Sequence, residues 1–96
     1  FGFQLDNPLG LAAGFDKNGD IVDHVQKYGF SYVEVGSITL LGSTGNKKPR
    51  LFRLREDQSI LNRMGLNGPP AIEIIAKVIP FHLFLKKSKI VLVPAV

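Results

Sequence analysis

Apolar runs and short polar clusters alternate through the first third of the chain. Residues 1–5 place Phe1, Phe3 and Leu5 at every second position, the period of a short strand. Asp6 and Asn7 turn the chain into a longer apolar run, residues 9–15, in which Gly10, Ala12, Ala13 and Gly14 are all small. Pro8 has a fixed φ and no N–H, which suits the first residue of a strand. Small residues in a buried strand let another backbone, or a flat ligand, come close. Asp16, Lys17 and Asn18 follow where this strand is expected to end.

The period then changes. Ile21, Val22, Val25 and Tyr28 fall at i, i+1, i+4 and i+7, one face of a helix. Asp16 or Asn18 can cap its start, Asp20 and Asp23 suit its positive end, and Gly29 is a stop signal. His24 lies between polar neighbours and reads as solvated surface. Residues 30–37 are nearly continuously apolar, as a strand covered on both faces should be. Strand, helix and strand within about 30 residues make a βαβ unit, so the two strands should be parallel. Glu34 in such a strand needs partners, and a structural ion pair is the expectation.

Gly42, Ser43, Gly45, Asn46 and Pro49 make residues 39–49 a loop. Residues 50–55 intersperse arginines with Leu51, Phe52 and Leu54, the alternation expected of a strand, and residues 59–62 should pair back as a hairpin. Residues 62–68 form a glycine-bearing loop with two amides, Asn62 and Asn67; an amide offers both donor and acceptor to a flat heterocycle. A helix is expected from Pro69, with Ile72, Ile75, Val78 and Ile79 as its apolar face and Pro80 as its stop. Residues 81–85 are apolar without a clear period. Lys86, Lys87 and Lys89 read as a solvated turn, and residues 90–93 as a strand ended by Pro94.

Composition narrows what this pattern can be. With 96 residues, 45% of them apolar, the chain suffices for one small domain and not for a large multi-layer enzyme. It begins with Phe1, which reads as a piece of something longer. There is no Cys, so disulfides and thiolate metal sites are excluded, and His24 and His82 lack ligand-spaced partners. The net charge of +4 favours anionic ligands without indicating nucleic acid, since the aromatic residues lie in apolar strand patterns. Residues 71–85 are interrupted by Lys77, Pro80 and His82 and are too short to span a bilayer.

Ligands of α/β folds bind at the carboxyl ends of strands, so Lys17 is the first residue to suspect of chemistry. An ordinary buried strand followed by a helix cap fits the same spacing. Ser37, at the end of the second strand, should face the same ligand space. Two motifs fail. The acidic run from Asp16 has Ile21 where a calcium loop needs Gly, and Lys27 where it needs Glu. The Gly14 and Gly19 spacing of a phosphate loop is followed by Asp20 where Lys is required.

Several of these segments carry a family resemblance together. Asn7, Pro8 and Leu9 lead through Gly14, Phe15, Asp16 and Lys17 to Asn18 and Gly19. Gly29 and Phe30 follow, then Val33, Glu34, Val35, Gly36, Ser37, Ile38 and Thr39. Gly45 and Asn46 precede Lys48, Pro49, Arg50, Leu51, Phe52, Arg53 and Leu54, and then come Asn62, Arg63, Met64 and Gly65. In order and spacing this resembles the quinone-dependent (class 2) dihydroorotate dehydrogenases, most strongly over residues 3–68. The departures are residues 40–43 in a loop that usually carries prolines, Leu66 where Phe is usual, and Gly68, Pro69 and Pro70. Residues 90–94 lack the Asn, Gly and Lys that end the family's third barrel strand.

The resemblance implies an α/β chain, a fragment of a (β/α)8 TIM barrel with an inserted β-hairpin, and residues 1–96 as the N-terminal portion of that barrel. It implies oxidation of dihydroorotate to orotate in pyrimidine biosynthesis, with FMN as cofactor and ubiquinone as acceptor. Ala13, Gly14, Phe15, Asp16, Lys17, Ser37 and Asn62 would then contact the flavin. Lys17, Asn62, Arg63, Met64, Gly65 and Leu66 would bind substrate, and Arg53 with Leu51 would face the quinone. No catalytic residue is expected in the chain, because the family's serine base lies beyond residue 96, so the isolated fragment should be inactive. A membrane surface would be a partner through a segment absent here, at the mitochondrial inner membrane or alternatively the bacterial plasma membrane. A truncated non-catalytic product and a basic binding module are the rival readings.

Overall fold

The computed structural model describes residues 4–84 and 89–95. Two sheets form among them. One is parallel and three-stranded, in the order β1 (Gly10–Leu11), β2 (Tyr32–Ile38) and β5 (Lys89–Pro94). The other is the antiparallel hairpin of β3 (Leu51–Leu54) and β4 (Ser59–Asn62). A single α-helix, α1 (Ala71–Phe84), lies between the hairpin and β5.

The central strand is the one whose residues demand it. Val33 and Val35 share one face of β2, and both are fully buried. They pack with Ile38, with Val22 and Val25 from the first crossover, and with Ile74 and Val78 from α1. Leu11, Phe30, Ala71, Phe81 and Ile90 complete the cluster. Gly10 does receive a flat group, but it belongs to the chain itself. The Tyr32 ring lies across Gly10 and leaves no room for a Cβ.

Several expectations are corrected. The first strand is only two residues long, and residues 4 and 5 are not in a strand; residues 1–3 lie outside the described ones. The helix expected over residues 21–28 is a single 3₁₀ turn, Val25–Tyr28. Val22, before the turn, and Val25, at its start, are both buried, while Tyr28 at its end is exposed. Glu34 makes no ion pair among the described residues. Its Oε2 accepts the N–H of Ala13 at 3.2 Å.

In α1 the buried positions are Ile74 and Val78, with Ala71 and Phe81 on the same side, whereas Ile72 and Ile79 are exposed. Of the expected face only Val78 is buried, and Ile74, which was not part of it, joins Val78 in the core. Pro80 does not stop it. Proline removes one helical bond, but Pro80 and Ala76, whose carbonyl is left unpaired, both lie on the solvated side. Residues 81–84 therefore continue the helix. Lys89 opens β5 rather than ending a turn, and residues 85–88, with Lys86 and Lys87, lie outside the described ones.

The hairpin forms where the alternating pattern put it, with Leu51 opposite Asn62 and Arg53 opposite Ile60. Every residue of both its strands is exposed. It joins the rest of the molecule at its base. Ser43 and Gly68 exchange backbone hydrogen bonds of 2.8 and 2.9 Å, and the Ala71 N–H reaches the Thr39 carbonyl at 3.0 Å. No helix among the described residues is long and apolar enough to cross a membrane.

Candidate functional site: a lysine-walled cleft between the sheet and the hairpin base

Beyond Leu11 the chain leaves regular pairing yet stays beside β2. The Ala13 N–H is held by Glu34, and the Gly14 N–H donates to the Gly36 carbonyl at 3.0 Å. Gly14 has φ +101°, a backbone conformation that favours glycine, and a Cβ there would meet open space.

A tight turn then carries Lys17. The Asp16 carboxylate closes it, accepting the Asp20 N–H at 2.7 Å on Oδ1 and the Ile21 N–H at 3.1 Å on Oδ2. Asp16 is 4% exposed, so its charge is buried but met by backbone donors. Lys77 of α1 pairs with Asp20 on the outside of the same turn. Lys17 emerges half-buried, and its ammonium donates to Asn67 twice, to Oδ1 at 3.1 Å and to the backbone oxygen at 3.4 Å.

The opposite wall comes from the hairpin base. Gly14, Lys17, Leu51, Asn62, Met64, Gly65 and Leu66 together line a cleft of about 460 Å³. That is within the usual size of small-molecule sites, roughly 300–1,000 Å³. A second cleft of about 690 Å³ adjoins it, sharing Leu51 and Met64 and adding Lys48, Pro49 and Arg50. Ammonium, amide and open glycine backbone around an otherwise apolar wall suit a flat, anionic or carbonyl-rich ligand. Among the described residues no group of three or more His, Asp or Glu could hold a metal ion.

The structure thus brings together Gly14, Lys17, Leu51, Asn62, Met64, Gly65 and Leu66 from the residues singled out in the sequence. It does not bring the others to this cleft. The Asp16 carboxylate is committed to its own turn, and the Arg63 guanidinium donates to the Pro49 carbonyl at 3.1 and 3.4 Å. Phe15 is 75% exposed and Ala13 is exposed, yet neither lines the cleft. Ser37 is half-buried within β2, outside the lining, although its neighbour Gly36 holds Gly14. Arg53 lies mid-hairpin, away from both clefts. In the sequence Asn67 stands out only as a loop amide. Its hold on Lys17 crosses 50 residues and leaves no local signal.

Gly14 and Lys17, which line the cleft, follow the carboxyl end of the parallel strand β1, the end at which α/β folds hold small molecules. The comparisons narrow that reading. The family model for dihydroorotate dehydrogenase matches residues 1–93, and the chain belongs to the dihydroorotate dehydrogenase family. It is 48% identical over 77 residues to the dihydroorotate dehydrogenase (quinone) of Idiomarina loihiensis, covering 80% of this chain and 23% of that protein. The corresponding protein of Haloarcula marismortui is 51% identical over 74 residues, covering 77% of this chain and 21% of its own length. The crystal structure of DHODH from Eimeria tenella in complex with ferulenol superposes with a TM-score of 0.80 at 37% identity, over 95% of this chain and 26% of that one. The chain therefore spans about a quarter or less of the length of these relatives.

Proposed function

We propose that residues 1–96 are the N-terminal portion of a quinone-dependent dihydroorotate dehydrogenase, oxidising dihydroorotate to orotate in pyrimidine biosynthesis. The observation that carries this reading is the half-buried Lys17 ammonium at the wall of a cleft it shares with Gly14 and Asn62. The parallel sheet would be the opening strands of a (β/α)8 TIM barrel, with β3 and β4 as an inserted hairpin. Three strands do not close such a barrel, which needs about eight, so the remaining wall of the site would come from the rest of the full-length protein.

The cleft residues fit FMN. Gly14 presents backbone with no side chain in the way, and the Lys17 ammonium and Asn62 amide offer donors to ring oxygens and nitrogens. When bound, FMN would supply a two-electron carrier between dihydroorotate and ubiquinone. Lys17 would hold the anionic substrate by its positive charge. Asn62 would orient the substrate amides, while Met64, Gly65 and Leu66 would exclude water from its face. The side chains of Asp16 and Arg63 would act on loop shape rather than on ligand. Ala13, Phe15 and Ser37 would reach the cofactor only through surfaces completed elsewhere in the barrel. Leu51, common to both clefts, and Arg53 would face the quinone.

The proton-accepting serine would lie outside these residues, so the 96-residue chain alone should show no turnover. A second segment outside these residues would bring the protein to a membrane surface. The bacterial and archaeal sources of the curated relatives support a peripheral prokaryotic membrane over the mitochondrial one.

The test is the full-length protein containing these residues, loaded with FMN and assayed with dihydroorotate and a quinone analogue. Quinone-dependent orotate formation is expected, with Lys17→Ala lowering kcat/KM by about 10²-fold or more. Absence of turnover in the flavin-loaded protein, or an unaffected Lys17→Ala variant, would overturn the reading.

A further inference from the structure

Among the described residues Asn67 is the one group that holds Lys17, and its neighbours in the chain are themselves tied down. Its following residue, Gly68, makes the reciprocal backbone pair with Ser43. On the preceding side, the Asn46 N–H donates to the Met64 carbonyl at 3.0 Å, and the Asn46 amide to the Arg63 carbonyl at 2.8 Å. Gly45 lies so close beneath that a Cβ on it would come within 2.7 Å of the Asn67 Cβ. Two loops, residues 39–50 and 62–68, thus interlock around this asparagine.

Both oxygens that Asn67 offers accept from the Lys17 ammonium. An ammonium has three N–H donors and no acceptor. Two acceptors therefore fix its place and leave one donor for a ligand in the cleft. A lysine side chain otherwise has several free rotors, and ordering them on binding costs affinity.

We propose that Asn67 is a positioning residue that holds the Lys17 ammonium at the cleft wall in readiness for an anionic substrate. The inference rests on the reading of Lys17 as substrate-binding. Asn67 acts through Lys17 and makes no contact with the reacting atoms. Its neutral amide matters as well. A carboxylate at that place would hold the ammonium but also repel the substrate's own negative charge.

The experiment is a double-mutant cycle in the full-length, FMN-loaded protein, with Asn67→Ala, Lys17→Ala and the pair, plus Asn67→Asp. Flavin content is measured alongside steady-state constants for dihydroorotate. Asn67→Ala should lower kcat/KM about tenfold, the scale of a lost hydrogen bond to a charged group. In the Lys17→Ala background the same change should cost less than about twofold, because coupled residues do not add. Asn67→Asp should fold, keep its flavin, and raise KM for dihydroorotate about tenfold with kcat little changed, by like-charge repulsion. Equal losses from Asn67→Ala with and without Lys17 would overturn the proposal, as would an unchanged KM in Asn67→Asp. If Asn67→Ala loses flavin or fails to fold, Asn67→Asp alone decides. An unaffected Lys17→Ala variant would instead overturn the reading of Lys17 itself.

Discussion

The β2 strand and the β3–β4 hairpin are both rich in apolar residues, and they end in opposite environments. β2 has a parallel partner on each edge, with Val22, Val25, Ile74 and Val78 packed over one face. Its Val33 and Val35 lose all contact with water. The hairpin's strands pair only with each other, and Ile60 and Leu61 remain 64% and 59% exposed. Hydrogen bonding between strands satisfies backbone groups, but removing side chains from water takes a second layer. The lesson is that a second layer makes the sheet a stable platform, whereas the hairpin, without one among the described residues, leaves its apolar side chains in water.

That contrast can be broken by substitution in the full-length protein. The largest effect is expected at the layer over β2. Ile74→Ala removes a side chain 2% exposed and should cost about 2–5 kcal/mol in chemical denaturation. A loss well under 1 kcal/mol would mean that α1 does not seal the sheet. Asp16→Ala should come next, at about 1–3 kcal/mol, since two backbone donors in the Lys17 turn lose their acceptor. It should also weaken FMN retention by loosening Lys17, which absorbance of the purified protein would report; full retention would separate the turn from the site. The smallest effect belongs to the hairpin. Ile60→Ser should leave stability within about 0.5 kcal/mol, because that side chain is already wet. A substantial loss would show that the full-length protein covers this face.

The same contrast explains what could be read from the residues alone. The hairpin and β5 were legible because alternation and turn formers are local signals, and strand β2 because its apolar run admits few other roles. The face of α1 was legible only at Val78, since Ile72, Ile74, Ile75 and Ile79 surround the helix and only the sheet decides which of them it covers. The 3₁₀ turn at Val25–Tyr28 satisfies the spacing of a longer helix only because both periods bury Val22 and Val25. At the site, Lys17, Gly14 and Asn62 were legible as a motif on a strand end and a glycine-bearing loop. The hold of Asp16 on the backbone after it was legible as a candidate cap, whereas that of Arg63 was hidden, because a guanidinium looks equally available wherever it stands in a sequence. The partner of Lys17 was hidden for another reason, its distance along the chain.

That distance has a consequence for how the molecule comes together. The lysine and the asparagine that fix one corner of the cleft are separated by 50 positions, with the whole hairpin excursion between them. Closing so long a loop is entropically uphill until other contacts have gathered its ends. The sheet faces the same demand, since Tyr32 of β2 pairs with Lys89 of β5 across a still longer stretch. The corner and the sheet are therefore expected to be won or lost in one cooperative step.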